Sequence, residues 1–238
     1  MNISSIASFY QAPTLSRSEA ASRVDPVQKA FANATERLQK ARDVTTAQIS
    51  AYGQVKSGFA RVEDSGKALA ATKATTGTED LKKNLQGFVN AYNDARNAAS
   101  RTDTGKAAVA SRDLQRATST DSVRADMQSL GITRSQDGSL KLDTKALASA
   151  LQANPDTVRG AASRVGSTVQ QTAKSALANN GSIGMSMNAL NARDQGIATR
   201  QAAQQKMFDA SQQTVEQSTT RLSSALAAIG NYNRIFSL

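Results

Sequence analysis

Between Asp25 and Thr72 the chain repeats in sevens. One set of positions carries Val24, Phe31, Leu38, Thr45, Tyr52, Phe59 and Gly66. The set three residues further on carries Val27, Ala34, Ala41, Gln48, Val55, Val62 and Leu69. Eleven of these fourteen are apolar and none is charged, whereas the eleven charged residues from Lys29 to Lys67 all fall elsewhere. A 3.5-residue repeat held over seven heptads requires a long helix that buries a narrow stripe against a partner helix. Asp25 reads as its N-cap and Pro26 as a first-turn residue that needs no amide donor. Glu36/Lys40 and Glu63/Lys67 add i,i+4 pairs in the favourable order, each contributing roughly 0.2–0.5 kcal/mol. Such a helix would run for about 70 Å at 1.5 Å per residue, so the sequence predicts an elongated molecule.

A thin seam of this kind suits a chain with few bulky side chains. Aromatics are 4% of the 238 residues and Trp is absent. There is no Cys, which excludes a disulfide framework and thiolate metal sites. There is no His, which removes the commonest general base and metal ligand and rules out Ser-His-Asp and Cys-His arrangements. Neither G-x-x-x-x-G-K-[ST] nor a strand-borne G-x-G-x-x-G occurs, and Asp121, Asp126, Asp137 and Asp143 lack EF-hand spacing. The expectation is a protein that is not an enzyme and needs no cofactor or metal. The net charge of +10 is spread as +2, +4 and +4 over residues 1–80, 81–160 and 161–238. No basic block forms, so nucleic acid is not an expected partner. The N-terminal residues have no basic start and apolar run of signal-peptide type, and no segment approaches the roughly 20 apolar residues of a membrane span. Neither a cleaved signal nor membrane insertion is expected.

The remaining elements follow in order. Residues 1–24 are Ser/Ala-rich around Pro13 and read as a flexible N-terminal segment. Residues 25–78 hold the first coiled-coil helix. Its Gly53 and Gly58 would each cost about 1 kcal/mol in a helix interior, offset by close packing or a local break. A second helix is predicted from Glu79 to about Ser100, with Leu81, Leu85, Phe88, Val89 and Tyr92 on one face. After a polar loop comes one helix through Leu114, Val123, Met127 and Leu130. Asp137-Gly138 between two short alternating runs signals a β-hairpin, and Asp143 reads as the N-cap of a helix carrying Leu147 and Leu151. Asn154-Pro155-Asp156 ends that helix and starts another. A helical stretch through Val165, Val169 and Leu177 then closes at Asn179-Asn180-Gly181. Residues 79–178 are read as a small α+β lobe. Residues 179–238 form the C-terminal coiled-coil helix, helical from about Met185, where Phe208, Val215, Leu222, Ile229 and Phe236 stand seven apart. The eleven-residue step from Ile197 to Phe208 is a stutter that unwinds a supercoil locally. The fold class is mainly α: an elongated antiparallel pair of N- and C-terminal helices beside a lobe with one hairpin.

Several phrases resemble one family. Ala51-Tyr52-Gly53 is similar to the first helix of the bacterial flagellar filament-capping proteins, hook-associated protein 2, and Phe88-Val89 with Ala91-Tyr92-Asn93 to the helix that follows their outer domains. Leu130-Gly131-Ile132, the Asp137-Gly138 turn, Leu140, Leu142-Asp143 and Asn154-Pro155-Asp156 with Val158 resemble the family's C-terminal region in order and spacing. Gly181-Ser182-Ile183 is similar to the start of its last helix. Flagellin also pairs terminal helices, but it lacks that C-terminal block. Between Ala74 and Thr78, where the family inserts large outer domains, this chain has almost nothing.

The resemblance implies a structural protein of the flagellum, without a catalytic site and exported by the flagellar pathway into the extracellular filament. It implies a homo-oligomer whose terminal helices meet flagellin at the filament end, with hook-filament junction proteins and an export chaperone as further partners. The seam expected to make these contacts is Phe208, Val215, Leu222, Ile229 and Phe236, with Tyr52, Val55 and Phe59 opposite. These eight either form the intramolecular coiled coil alone or share it with a partner. The alternatives to a cap are a coiled-coil adaptor module and a flagellar junction or accessory protein that does not cap.

Overall fold

A computed structural model describes residues 17–102 and 105–236. Among them are seven helices: α1 (Arg17–Ala70), α2 (Thr78–Ser100), α3 (Gly105–Ala117), α4 (Asp121–Ser129), α5 (Thr144–Ala153), α6 (Pro155–Leu177) and α7 (Ser182–Phe236). Two three-residue strands, β1 (Ile132–Arg134) and β2 (Leu140–Leu142), pair antiparallel between α4 and α5. The fold is mainly α with one hairpin, as the periodicity requires. The chain divides into two compact units, one of residues up to Asp43 with those from Gln195 on, the other Val44–Asp194.

Three boundaries differ from the sequence reading. The first helix begins at Arg17, not at Asp25, and Pro26 lies inside it. Pro26 forfeits one backbone bond, while Glu19, Ala20 and Ala21 upstream are good helix formers. Of the N-terminal segment expected to be flexible, residues 1–16 lie outside the described residues. The helix expected through Leu114 and Met127 is two helices, α3 and α4. The Thr118 and Ser119 hydroxyls turn back to donate to the carbonyls of Leu114 and Gln115, which ends α3. The stretches expected on either side of residue 160 are the single helix α6.

In the unit Val44–Asp194, the second half of the α1 seam is the core. Tyr52, Val55, Phe59, Val62 and Leu69 are all at most 1% exposed, in one cluster with Leu85, Phe88 and Tyr92 of α2 and Val165 and Val169 of α6. Glycine sets the helix spacing. A Cβ on Gly58 would lie 2.8 Å from Ala95 Cα, and one on Gly166 would lie 2.6 Å from the Gly66 carbonyl oxygen, so α1 crosses α2 and α6 at backbone contact. That close packing offsets the helix penalty at Gly58, whereas Gly53 faces open space. Ser163 donates to the Ala70 carbonyl and Arg159 Nε to that of Thr76, holding the connection between α1 and α2 onto α6.

The hairpin is fixed residue by residue. Gly131 has φ of 70°, which lets the chain leave α4 and enter β1; a side chain there would also collide with the Asp143 carbonyl. Asp137 Oδ1 accepts from the Ser139 amide and hydroxyl in the turn. Those bonds, the amide first, hold its carboxyl below the usual carboxylate range. Leu140 opposes Arg134 in the ladder, and its own amide and carbonyl face outward. Asn93 of α2 meets both, accepting from the Leu140 amide and donating to its carbonyl at 2.9 Å each, so a side-chain amide takes the place of a third strand. Asp143 then caps α5 by accepting from the amides of Lys145 and Ala146.

Candidate functional site

The eight seam residues fall in both units. Tyr52, Val55 and Phe59 lie in the core of Val44–Asp194 and have no exposed surface to offer. In the other unit α1 and α7 run antiparallel. The rings of Phe31 and Phe208 stack at 4.0 Å between centroids. One turn on, Gln204 donates to the Phe31 carbonyl and to the Thr35 hydroxyl. Gln201 donates to Gln39 a turn beyond that. Along α1 here Phe31, Ala34, Leu38 and Ala41 are half-buried.

This register advances on α7 as it recedes on α1. It brings Leu222 level with Arg17, where the described part of α1 starts. Past that point α7 has no counterpart among the described residues, and Leu222 is 61% and Ile229 58% exposed; Val215, which falls before it, is 43% exposed. Phe236 ends α7, and its side chain lies outside the described residues. Sequence spacing by sevens missed Leu226, which is 65% exposed and stands four residues after Leu222 and three before Ile229. The i, i+4, i+7 spacing puts the three on one helical face, so the stripe widens toward the C-terminal end. That spacing was the signal available in the sequence.

The backbone under this stripe is unusual. Thr214, Ser218, Thr219, Thr220, Ser223 and Ser224 each donate a hydroxyl to the carbonyl four residues before. Such residues are mediocre helix formers that compete for backbone bonds. The segment therefore combines low intrinsic helicity, an open apolar face and few charges.

Among the described residues no group of His, Cys, Asp or Glu could hold a metal ion, and no helix is long and apolar enough to cross a membrane. A groove of about 530 Å³ lies between α1 and α2 and is lined by Ser50, Gly53, Gln54, Arg61 and Asp94, with Arg61 and Asp94 paired at 3.2 Å.

A family model described as the flagellar hook-associated protein 2 C-terminus matches residues 110–231, just over half of the chain. The match takes in the hairpin, its caps and most of α7. No curated protein and no solved structure matches the chain.

Proposed function

Because this chain belongs to the flagellar hook-associated protein 2 family, the flagellar filament-cap family, we propose that it works as a structural assembly protein at the distal end of the filament. In this reading the chain forms a homo-oligomer there, and α7 beyond Val215 docks onto flagellin. The chain reaches the cell exterior through the flagellar export pathway, with an export chaperone and hook-filament junction proteins as its other partners. The observation that carries the reading is the open stripe of Val215, Leu222, Leu226 and Ile229 on a helix of poor intrinsic stability. A soluble helix that leaves such a face open gains most by covering it with another helix. Phe208 belongs to the packed part of the seam, and Tyr52, Val55 and Phe59 lie in the core of the other unit and do not touch a partner in this reading.

A second reading rests on the connection between α1 and α2, which spans only residues 71–77. The family's outer domains are inserted at this place, and a chain without them can serve as a junction or accessory protein that does not cap. Deleting the gene in its host distinguishes the two. Short or missing filaments with free flagellin in the medium support the cap. Normal filaments defeat it and leave the accessory role. Complementation with Leu222→Asp/Ile229→Asp then locates the contact: restored filament growth would show that α7 is not the docking face.

A further inference from the structure

A second site lies in the other unit, where β1, α4 and the end of α3 enclose a cleft of about 350 Å³. Its floor is apolar, formed by Met127 and Ile132, which are 4% and 1% exposed. Its charged groups are Arg124 and Arg134, beside the neutral Thr118, Ser119, Gln128 and Thr133. Arg134 is half-buried and held from three sides: Nη1 donates to the Tyr92 hydroxyl, Nη2 to the Thr118 carbonyl and hydroxyl, and the guanidinium sits 5.9 Å from the Tyr92 ring centroid. These bonds use at most three of its five N–H donors. Among the described residues no carboxylate pairs with it, and all its protein acceptors are neutral. Arg124 stands on the same rim, tied to the Ser119 carbonyl at 2.8 Å. Among the described residues Arg124 pairs with one carboxylate, that of Asp121, at 3.5 Å and fully exposed.

A half-buried guanidinium fixed by neutral acceptors, with donors to spare above an apolar floor, is a prepared place for an anion. We propose that this cleft binds an acidic peptide segment of a partner protein, a carboxylate side chain meeting Arg134 and Arg124 while the residues beside it fill the rest of the cleft. A free inorganic anion would meet the rim alone, whereas the volume is several times that of a carboxylate group and has room for the residues that flank one. The net charge of +10 likewise favours an acidic partner. The site is independent of the α7 stripe and stands whichever reading of that stripe holds.

The test is an NMR titration of the full chain with ¹⁵N-labelled arginine, using acetyl-Leu-Glu-Leu-amide as probe, acetyl-Leu-Gln-Leu-amide as its neutral match, and sodium acetate as the bare anion. The expected result is a saturable shift of the Arg134 Nε–H resonance with the glutamate peptide. The glutamine peptide should bind about tenfold more weakly, as loss of a charge-assisted bond implies. Acetate at equal concentration should leave the resonance in place. Arg124→Gln, an exposed change that keeps the fold, should weaken the glutamate peptide roughly threefold. Arg134→Gln should abolish the binding, and if that variant unfolds, the Arg124→Gln result stands in its place. Equal binding of the two peptides, an unmoved Arg134 at saturating peptide, or an equal response to acetate would each overturn the proposal.

Discussion

The two halves of α1 carry one seven-residue repeat and bury it to different depths. From Tyr52 to Leu69 the seam is closed to solvent, because α2 and α6 approach it at backbone distance through Gly58, Gly66 and Gly166. From Phe31 to Ala41 the same positions are half-buried, where α1 meets α7 at Phe208, Gln204 and Gln201. A heptad repeat therefore states that a helix needs a partner and leaves open how many. The difference also separates the residues that are closed to solvent from those that are not.

The largest effect that could break this comparison is Phe59→Ala. Truncating a fully buried aromatic should cost about 3–5 kcal/mol, read as a lower denaturant midpoint with an unchanged slope. The half-buried Phe31→Ala should cost clearly less, and equal losses would mean that the two halves are buried alike. Gly166→Ala comes next. Its Cβ would meet backbone atoms at 2.4–2.6 Å, so about 1–3 kcal/mol should be lost in the same measurement. Gly53→Ala faces open space and should instead stabilise by up to about 1 kcal/mol. A loss at Gly53 would remove glycine contact as the distinction between these positions. Replacing Asp143 with Ala should cost about 1 kcal/mol through the lost cap, seen by amide exchange in the first turn of α5. Leu222→Asp/Ile229→Asp should sit at the low end, within about 0.5 kcal/mol of the parent in thermal unfolding, since both side chains are already in solvent.

The smallest effect concerns pH. The Asp137 carboxyl titrates below its ordinary value because its charged form accepts the Ser139 amide and hydroxyl. A depressed folded value makes the contribution fully present above the unfolded pKa, and it is lost as pH falls through the folded one. Exchange of the Ser139 amide should therefore gain protection-loss only in that acid range. Asp137→Asn should flatten the dependence.

Much of this was legible in the chain. The helix order, the hairpin and the Asp143 cap follow from alternation, Asp-Gly and a polar residue ahead of an apolar period, all signals carried by neighbours in sequence. What was not legible depends on residues far apart. Nothing near Gly66 announces Gly166, and nothing near Asn93 announces that its amide will close the edge of β2. The start of α1 was misplaced because Pro26 was read as a beginning, when good helix formers upstream carry the helix through it. At the seam, Val215, Leu222 and Ile229 stand exposed with Leu226, which spacing by sevens does not include, while Tyr52, Val55 and Phe59 are buried in the core, a difference in depth that spacing does not carry.

The crossing of α1 and α6 at Gly66 and Gly166 also bears on how the molecule comes into being. The two glycines stand a hundred residues apart, and the core they close draws on chain from Tyr52 to Ile183. Contacts of such long range form late, after the loop between them has been closed. A chain emerging amino end first can cover part of this stripe with α2 but keeps the face that meets α6 open until α6 is out. The compact state of this unit becomes available only once α6 has followed α1 and α2.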